Sequence, residues 1–151
     1  MKSAIRYPKE YENMVKSVKE DLALFNTYKE FLSFCASIAL SNDAVDESFE
    51  DGDWSSQPIK IDIFNKGEYD RSLMDLIALH HTKDISILNG ENDEEIFLIF
   101  EKYVAKGMEI FQDEVYTANN KTPFEDLTLY IDRARDNKQS NLLEEFTNFV
   151  D

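Results

Sequence analysis

His80 and His81 are the only histidines among 151 residues, and imidazole is the side chain best suited to proton transfer or metal ligation near neutral pH. Adjacent residues on a helix point about 100° apart, so the two cannot face one ion as an i, i+4 pair does. With Asp75 and Asp84 nearby they outline only a speculative metal-dependent hydrolase. Histidines at a helix C-terminus that interact with the last carbonyls are the simpler reading. Cys35, the single cysteine, lies in the apolar run Phe31–Ala36 with no base near it in sequence, which suits a buried thiol of raised pKa rather than a nucleophile. Asp51-Gly52-Asp53 matches part of a calcium loop but lacks the spaced ligands and terminal glutamate of an EF-hand. Lys60 precedes Asp62, the reverse of the order in a D/E-x-K nuclease strand, and the chain has neither a glycine-rich phosphate loop nor a G-x-S-x-G elbow. The expectation is a protein that is not an enzyme, with no catalytic residue, metal or cofactor.

Charge is the other chemical resource. The net charge is -15, and it is unevenly placed. Residues 1–31 hold six basic and five acidic side chains, a net of +1, so the remaining 120 carry -16. Such a surface repels phosphates and attracts basic protein surfaces, although acidity also serves solubility. Its densest run is residues 41–58, with six acids and no base. Asp43, Asp46, Glu47, Glu50, Asp51 and Asp53, with Phe49 and Trp54 interleaved, could dock a basic groove or imitate a DNA backbone; a solvated linker is the plainer reading. Arg6, Tyr7 and Tyr11 mark a near-neutral aromatic patch at the N-terminus, a second candidate for protein contact. Direct nucleic-acid binding is not expected from so weak a basic footprint.

The elements that must position these residues read as helices. Only 4 Gly and 3 Pro interrupt the chain, and 42% hydrophobic content with 11 Phe and 7 Tyr is enough for a core. After Pro8, the residues Tyr11, Met14, Val15 and Val18 follow at i, i+3, i+4, i+7 and predict a first helix. Asn26 or Thr27 caps a second, apolar around much of its circumference and therefore central. Residues 41–58 predict a long exposed acidic loop, too polar to pack. Ile59-Lys60-Ile61-Asp62-Ile63 alternates with period two and predicts a strand within 59–64. Leu73, Leu76, Ile77 and Leu79 predict a third helix ending near Thr82. A fourth runs from Asp93 to about Val115, with Gly107 allowing a neighbouring helix close. Thr122-Pro123-Phe124-Glu125 starts a fifth, and Leu142, Leu143, Phe146, Phe149 and Val150 make a final amphipathic helix capped by Ser140 or Asn141. The predicted fold class is mainly α: one domain over 1–151, a compact bundle of five to six helices with at most a small strand element. No apolar run reaches the ~20 residues that span a bilayer, and the start has no secretory h-region; a reduced cytoplasmic setting follows.

The order of segments carries a resemblance. Arg6–Tyr11 is followed by Phe25-Asn26-Thr27-Tyr28-Lys29-Glu30-Phe31 and its continuation to Leu40, then by Ile59–Phe64. Asp75–Leu79, Asp84–Leu88 and Ile99–Ile110 complete the series. The chain resembles, over roughly residues 5–131, the small bacterial proteins called DNA phosphorothioation-associated (Dnd system-associated) protein 4. It departs from that pattern at Cys35-Ala36-Ser37, where an alanine-rich stretch is usual, in its more acidic 43–53 loop and in the extension at 140–150. The resemblance implies an accessory or adaptor role in a phosphorothioation-linked modification–restriction, anti-phage defence system. It supplies no catalytic residue. The partner it implies is a larger protein component of that system, and self-association is compatible with it. The alternative is a DNA mimic that inhibits or regulates by occupying a basic groove.

Overall fold

A computed structural model describes residues 2–67, 69–117 and 122–150, apart from the side chains of 138–146 and 148–150. Six α-helices stand among these residues, with one two-stranded antiparallel sheet. Two compact units divide the chain, residues 1–111 and 112–151.

In the first unit, β1 (Ala4–Ile5) leads through a 3-10 turn at Lys9–Tyr11 into α1 (Glu12–Glu20), as Pro8 suggested. Met14, Val15 and Val18 are buried along one stripe. Thr27 caps α2 (Tyr28–Ser41): its side chain accepts from the Glu30 N–H at 3.1 Å, while the Glu30 carboxylate accepts from the Asn26 N–H. The free hydroxyl oxygen thereby satisfies one of the helix's orphan donors. Thr27→Ala should cost about 1 kcal/mol, read as a lower urea midpoint at unchanged slope. As its composition implied, α2 is the central element, with Phe31, Leu32, Cys35, Ala36 and Ala39 fully buried.

The small strand element expected near 59–64 is present, but it is shorter than the alternation. Only β2 (Ile59–Lys60) is extended, paired with β1 in the register Ala4↔Lys60 and Ile5↔Ile59, and α3 (Ile61–Asn65) follows at once. The N-terminal segment offers only a short partner, and burying Ile61 with Phe64 at i, i+3 puts two apolar groups inward where a strand would expose one of them. Ile63, which alternation would pair with Ile61, is 43% exposed. Pro58, just before β2, has no N–H to offer a further strand.

The third helix expected to end near Thr82 is α4 (Asp70–Thr82). Its inward stripe is Met74, Ile77 and Ala78, and Leu76 is 53% exposed. Lys83 ends the helix in the left-handed region at φ 56°, its N–H returning to the Leu79 carbonyl. A 3-10 turn at Ile85–Leu88 then precedes α5 (Asp93–Phe111), which packs along α2. Gly107 faces the Cys35 carbonyl there, the close approach its position suggested. Phe31 and Phe111 meet edge to face at 5.0 Å, and Phe25 joins them. None of the described helices is long and apolar enough to cross a membrane.

In the second unit a π-helical turn, Gln112–Tyr116, precedes α6 (Pro123–Val150). The Thr122 hydroxyl accepts from the Glu125 N–H at 3.3 Å, and the Glu125 carboxylate reaches back to the Thr122 N–H, a capping box. The two expected C-terminal helices are one, because no proline or glycine follows Pro123 to break it. The inward face assigned to Leu142, Leu143, Phe146, Phe149 and Val150 lies outside the described side chains.

Candidate functional site

Antiparallel pairing with the N-terminal segment is what holds the acidic segment. Beyond the β1–β2 pair, the Ser55 N–H donates to the Tyr7 carbonyl at 2.9 Å, Pro8 bridges Trp54, and the Lys9 N–H donates to the Asp53 carbonyl at 3.0 Å. Phe49 and Ser55 are buried, and the Ser55 hydroxyl donates to Glu12 at 2.9 Å. The expectation of a loop too polar to pack is thus corrected. Phe49 supplies the apolar anchor, and backbone pairing satisfies polar groups that side chains could not. The acidic side chains themselves stay outward: all but Asp46 are exposed, and Asp46 is half-buried.

Arg6 is the junction between the two segments. Its guanidinium lies 3.8 Å from the Trp54 ring centroid and 5.4 Å from that of Phe49. Its Nη2 donates to Glu50 at 2.7 Å and to Glu101 at 2.8 Å, and its Nε also donates to Glu101. Glu101, on α5, is fully buried. It also accepts from the Arg6 backbone N–H and from Lys2 Nζ at 2.8 Å. One carboxylate therefore satisfies the backbone N–H that follows the N-terminal strand and pairs with two cations, Glu50 supplying a second negative charge to Arg6. Hydrogen bonding to Glu101 pushes the Arg6 pKa up against the opposing effect of burial, so the guanidinium is held charged.

At the other end of the segment, His80 Nε2 lies 2.9 Å from Asp43 Oδ1 and its Nδ1 lies 3.3 Å from Lys83 Nζ. His81 Nδ1 lies 3.2 Å from the Tyr103 hydroxyl, and its Nε2 lies 3.6 Å from Glu47. Lys102 reaches Glu47 at 3.4 Å, and the Lys102 carbonyl accepts from the Asp46 N–H. The histidines thus face carboxylates of the acidic segment instead of the last carbonyls of α4, whose end is closed by Lys83. Asp84 caps the Ser86 N–H and Asp75 pairs with Arg71, so neither joins the histidines. Among the described residues no group of three or more His, Cys, Asp or Glu side chains converges to hold a metal ion. Cys35 is fully buried and desolvation pushes its thiol well above the ordinary pKa, which removes thiolate chemistry near neutral pH.

Between the N-terminal turn and the acidic segment runs a groove of about 530 Å³, with Pro8 and Phe49 lining it beside Lys9, Glu10, Asp46 and Asp53. A family model, DNA sulphur modification system-associated protein 4, matches residues 4–149. The chain belongs to that family. No curated protein and no solved structure matches it. The family's name ties the chain to a DNA sulphur modification system, the association that the order of its segments had implied.

Within this family member the residues singled out in the sequence fall into two groups. Arg6, Glu50 and Trp54 come together at one junction, although they were assigned to separate patches. Tyr7 and Tyr11 are 3% and 7% exposed and serve as core side chains under the N-terminal turn. Glu101, Lys2 and Lys102 were missed. A signal for Glu101 was present: it stands on the stripe of Phe97, Val104 and Met108, where an acid is out of place unless paired.

Proposed function

We propose that the protein is a non-enzymatic accessory subunit of its DNA sulphur modification system, which acts by binding a larger modification or restriction component of that system. The observation that carries this reading is the groove beside the acidic segment. Its Pro8 and Phe49 suit the stem of an arginine or lysine, and the carboxylates of Glu10, Asp46 and Asp53, which outnumber the one lining cation, Lys9, suit the charged head. The surface is preorganised, since Arg6, Lys102 and the paired backbone fix its shape before any partner arrives. Asp51 and Asp53 have no ion-pair partner among the described residues and are the carboxylates most available to a basic protein surface.

The DNA-mimic alternative draws less support. Asp43, Glu47 and Glu50 face cations or histidines of the same chain, which breaks up the run of equivalent charges that a phosphate backbone presents. Co-expression with the flanking genes tests the accessory role: the protein is expected to co-purify with a larger component at low salt. Glu10→Gln with Asp51→Asn and Asp53→Asn should weaken that association about tenfold and flatten its salt dependence. Elution of the protein alone under gentle salt, or full binding by the triple variant, would count against the proposal.

A further inference from the structure

A second groove, of about 550 Å³, runs between α1 and residues 57–59, with Tyr28 of α2 beside it. Three charged side chains line it, Glu12, Lys16 and Glu20, with apolar contributions from Val15, Pro58 and Ile59. Glutamate and lysine four apart on a helix ordinarily pair along its surface. Neither pair forms on α1. Glu12 accepts from the Ser55 hydroxyl at 2.9 Å instead, and Glu20 from the Tyr28 hydroxyl at 2.8 Å. Lys19, 4.6 Å from the Tyr28 ring centroid, steadies that ring. Lys16 is exposed and has no ion-pair partner among the described residues. Each of the two glutamates uses one oxygen for a neutral hydroxyl and keeps the other for a cation.

The charges along the groove therefore run negative, positive, negative. The rise of the helix sets successive members about 6 Å apart. Alternate side chains of an extended chain project from one face at about 6.6 Å, nearly the same interval. We propose that this groove docks an extended segment of a partner protein that reads basic–x–acidic–x–basic. The segment's central carboxylate meets Lys16, its outer cations meet Glu12 and Glu20, and their aliphatic stems lie on Val15, Pro58 and Ile59. The net charge of -15 taken alone favours an occupant with bases at all three places. Lys16 reverses that preference at the middle one. This contact is separate from the groove beside the acidic segment and does not depend on the reading of that groove.

Two blocked peptides, Arg-Val-Glu-Val-Arg and Arg-Val-Arg-Val-Arg, test this by NMR titration of the isotope-labelled protein in about 0.15 M salt, where long-range attraction is screened. The valines favour the extended form in both. The glutamate-centred peptide should bind about threefold tighter, the size expected of one exposed ion pair, and shift the amides of Lys16, Glu20 and Gln57. Lys16→Glu, a change at an exposed side chain, should invert the order of the two peptides. Glu20→Gln still accepts from Tyr28 and should weaken both peptides while keeping their order. Equal affinities, tighter binding of the all-arginine peptide, no binding of either, or an unchanged order in Lys16→Glu would each overturn the proposal. Shifts confined to residues 43–53 would also overturn it, and would leave the accessory role, which co-purification tests, untouched.

Discussion

Glu101→Ala is expected to lower the unfolding free energy by about 3–5 kcal/mol, the cost of removing one member of a buried ionic cluster. The carboxylate is fully buried, and its loss leaves Lys2, 10% exposed, and the Arg6 guanidinium short of their main counter-charge. It also strands the Arg6 backbone N–H just after β1. Glu50 remains to Arg6 but is itself 43% exposed, so it offsets only a fraction. Chemical denaturation of Glu101→Ala reads the loss as a shifted midpoint, and differential scanning calorimetry should show a melting temperature lower by about 10 °C or more. The mechanism has its own check. If unpaired charge is the cause, Lys2→Met, Arg6→Met and Glu101→Met combined should recover part of the stability, because an apolar cluster of similar volume needs no counter-ion. A triple variant less stable than Glu101→Ala would assign the loss to packing instead.

Gly107→Ala is the second large effect. In an isolated helix this substitution stabilises by about 1 kcal/mol, because alanine loses less backbone freedom. Here the new methyl would overlap the Cys35 carbonyl and lie 2.7 Å from the Cys35 Cα. The obstacle is the α2 backbone at the fully buried Cys35, so no side-chain rotation relieves it; α2 must move away from α5. Overpacking of this kind costs about 3 kcal/mol or more, which outweighs the propensity gain. Gly52→Ala is the internal control, since its added methyl meets the Phe49 carbonyl oxygen at an ordinary 3.6 Å. The expected result is a soluble, native-like Gly52→Ala beside a Gly107→Ala protein that unfolds at markedly lower urea. Equal midpoints would refute the close approach of the two helices.

Legibility from sequence followed the range of the interactions. Caps and stripes are local, so Thr27, the Thr122–Glu125 box and the Met14–Val15–Val18 face were readable from spacing alone. The alternation over Ile59–Ile63 marked the strand but overran it, because the pairing that sets its length lies far off in sequence, at Ser3–Ile5. The acidic segment misled for a related reason: its composition speaks only of solvation, while Phe49 is buried by residues far from it in sequence.

The sequence by itself determined the helical class, the family, the central place of α2 and the acidity that follows residue 31, because propensity, periodicity and charge are summed over near neighbours. Tertiary structure alone decided where the charges act. It drew Arg6 between Trp54 and Glu101 across |i−j| = 95 and set Glu47 and Asp43 against the two histidines. Electrostatic contacts depend on separation in space, and the fold assigns that separation independently of distance along the chain.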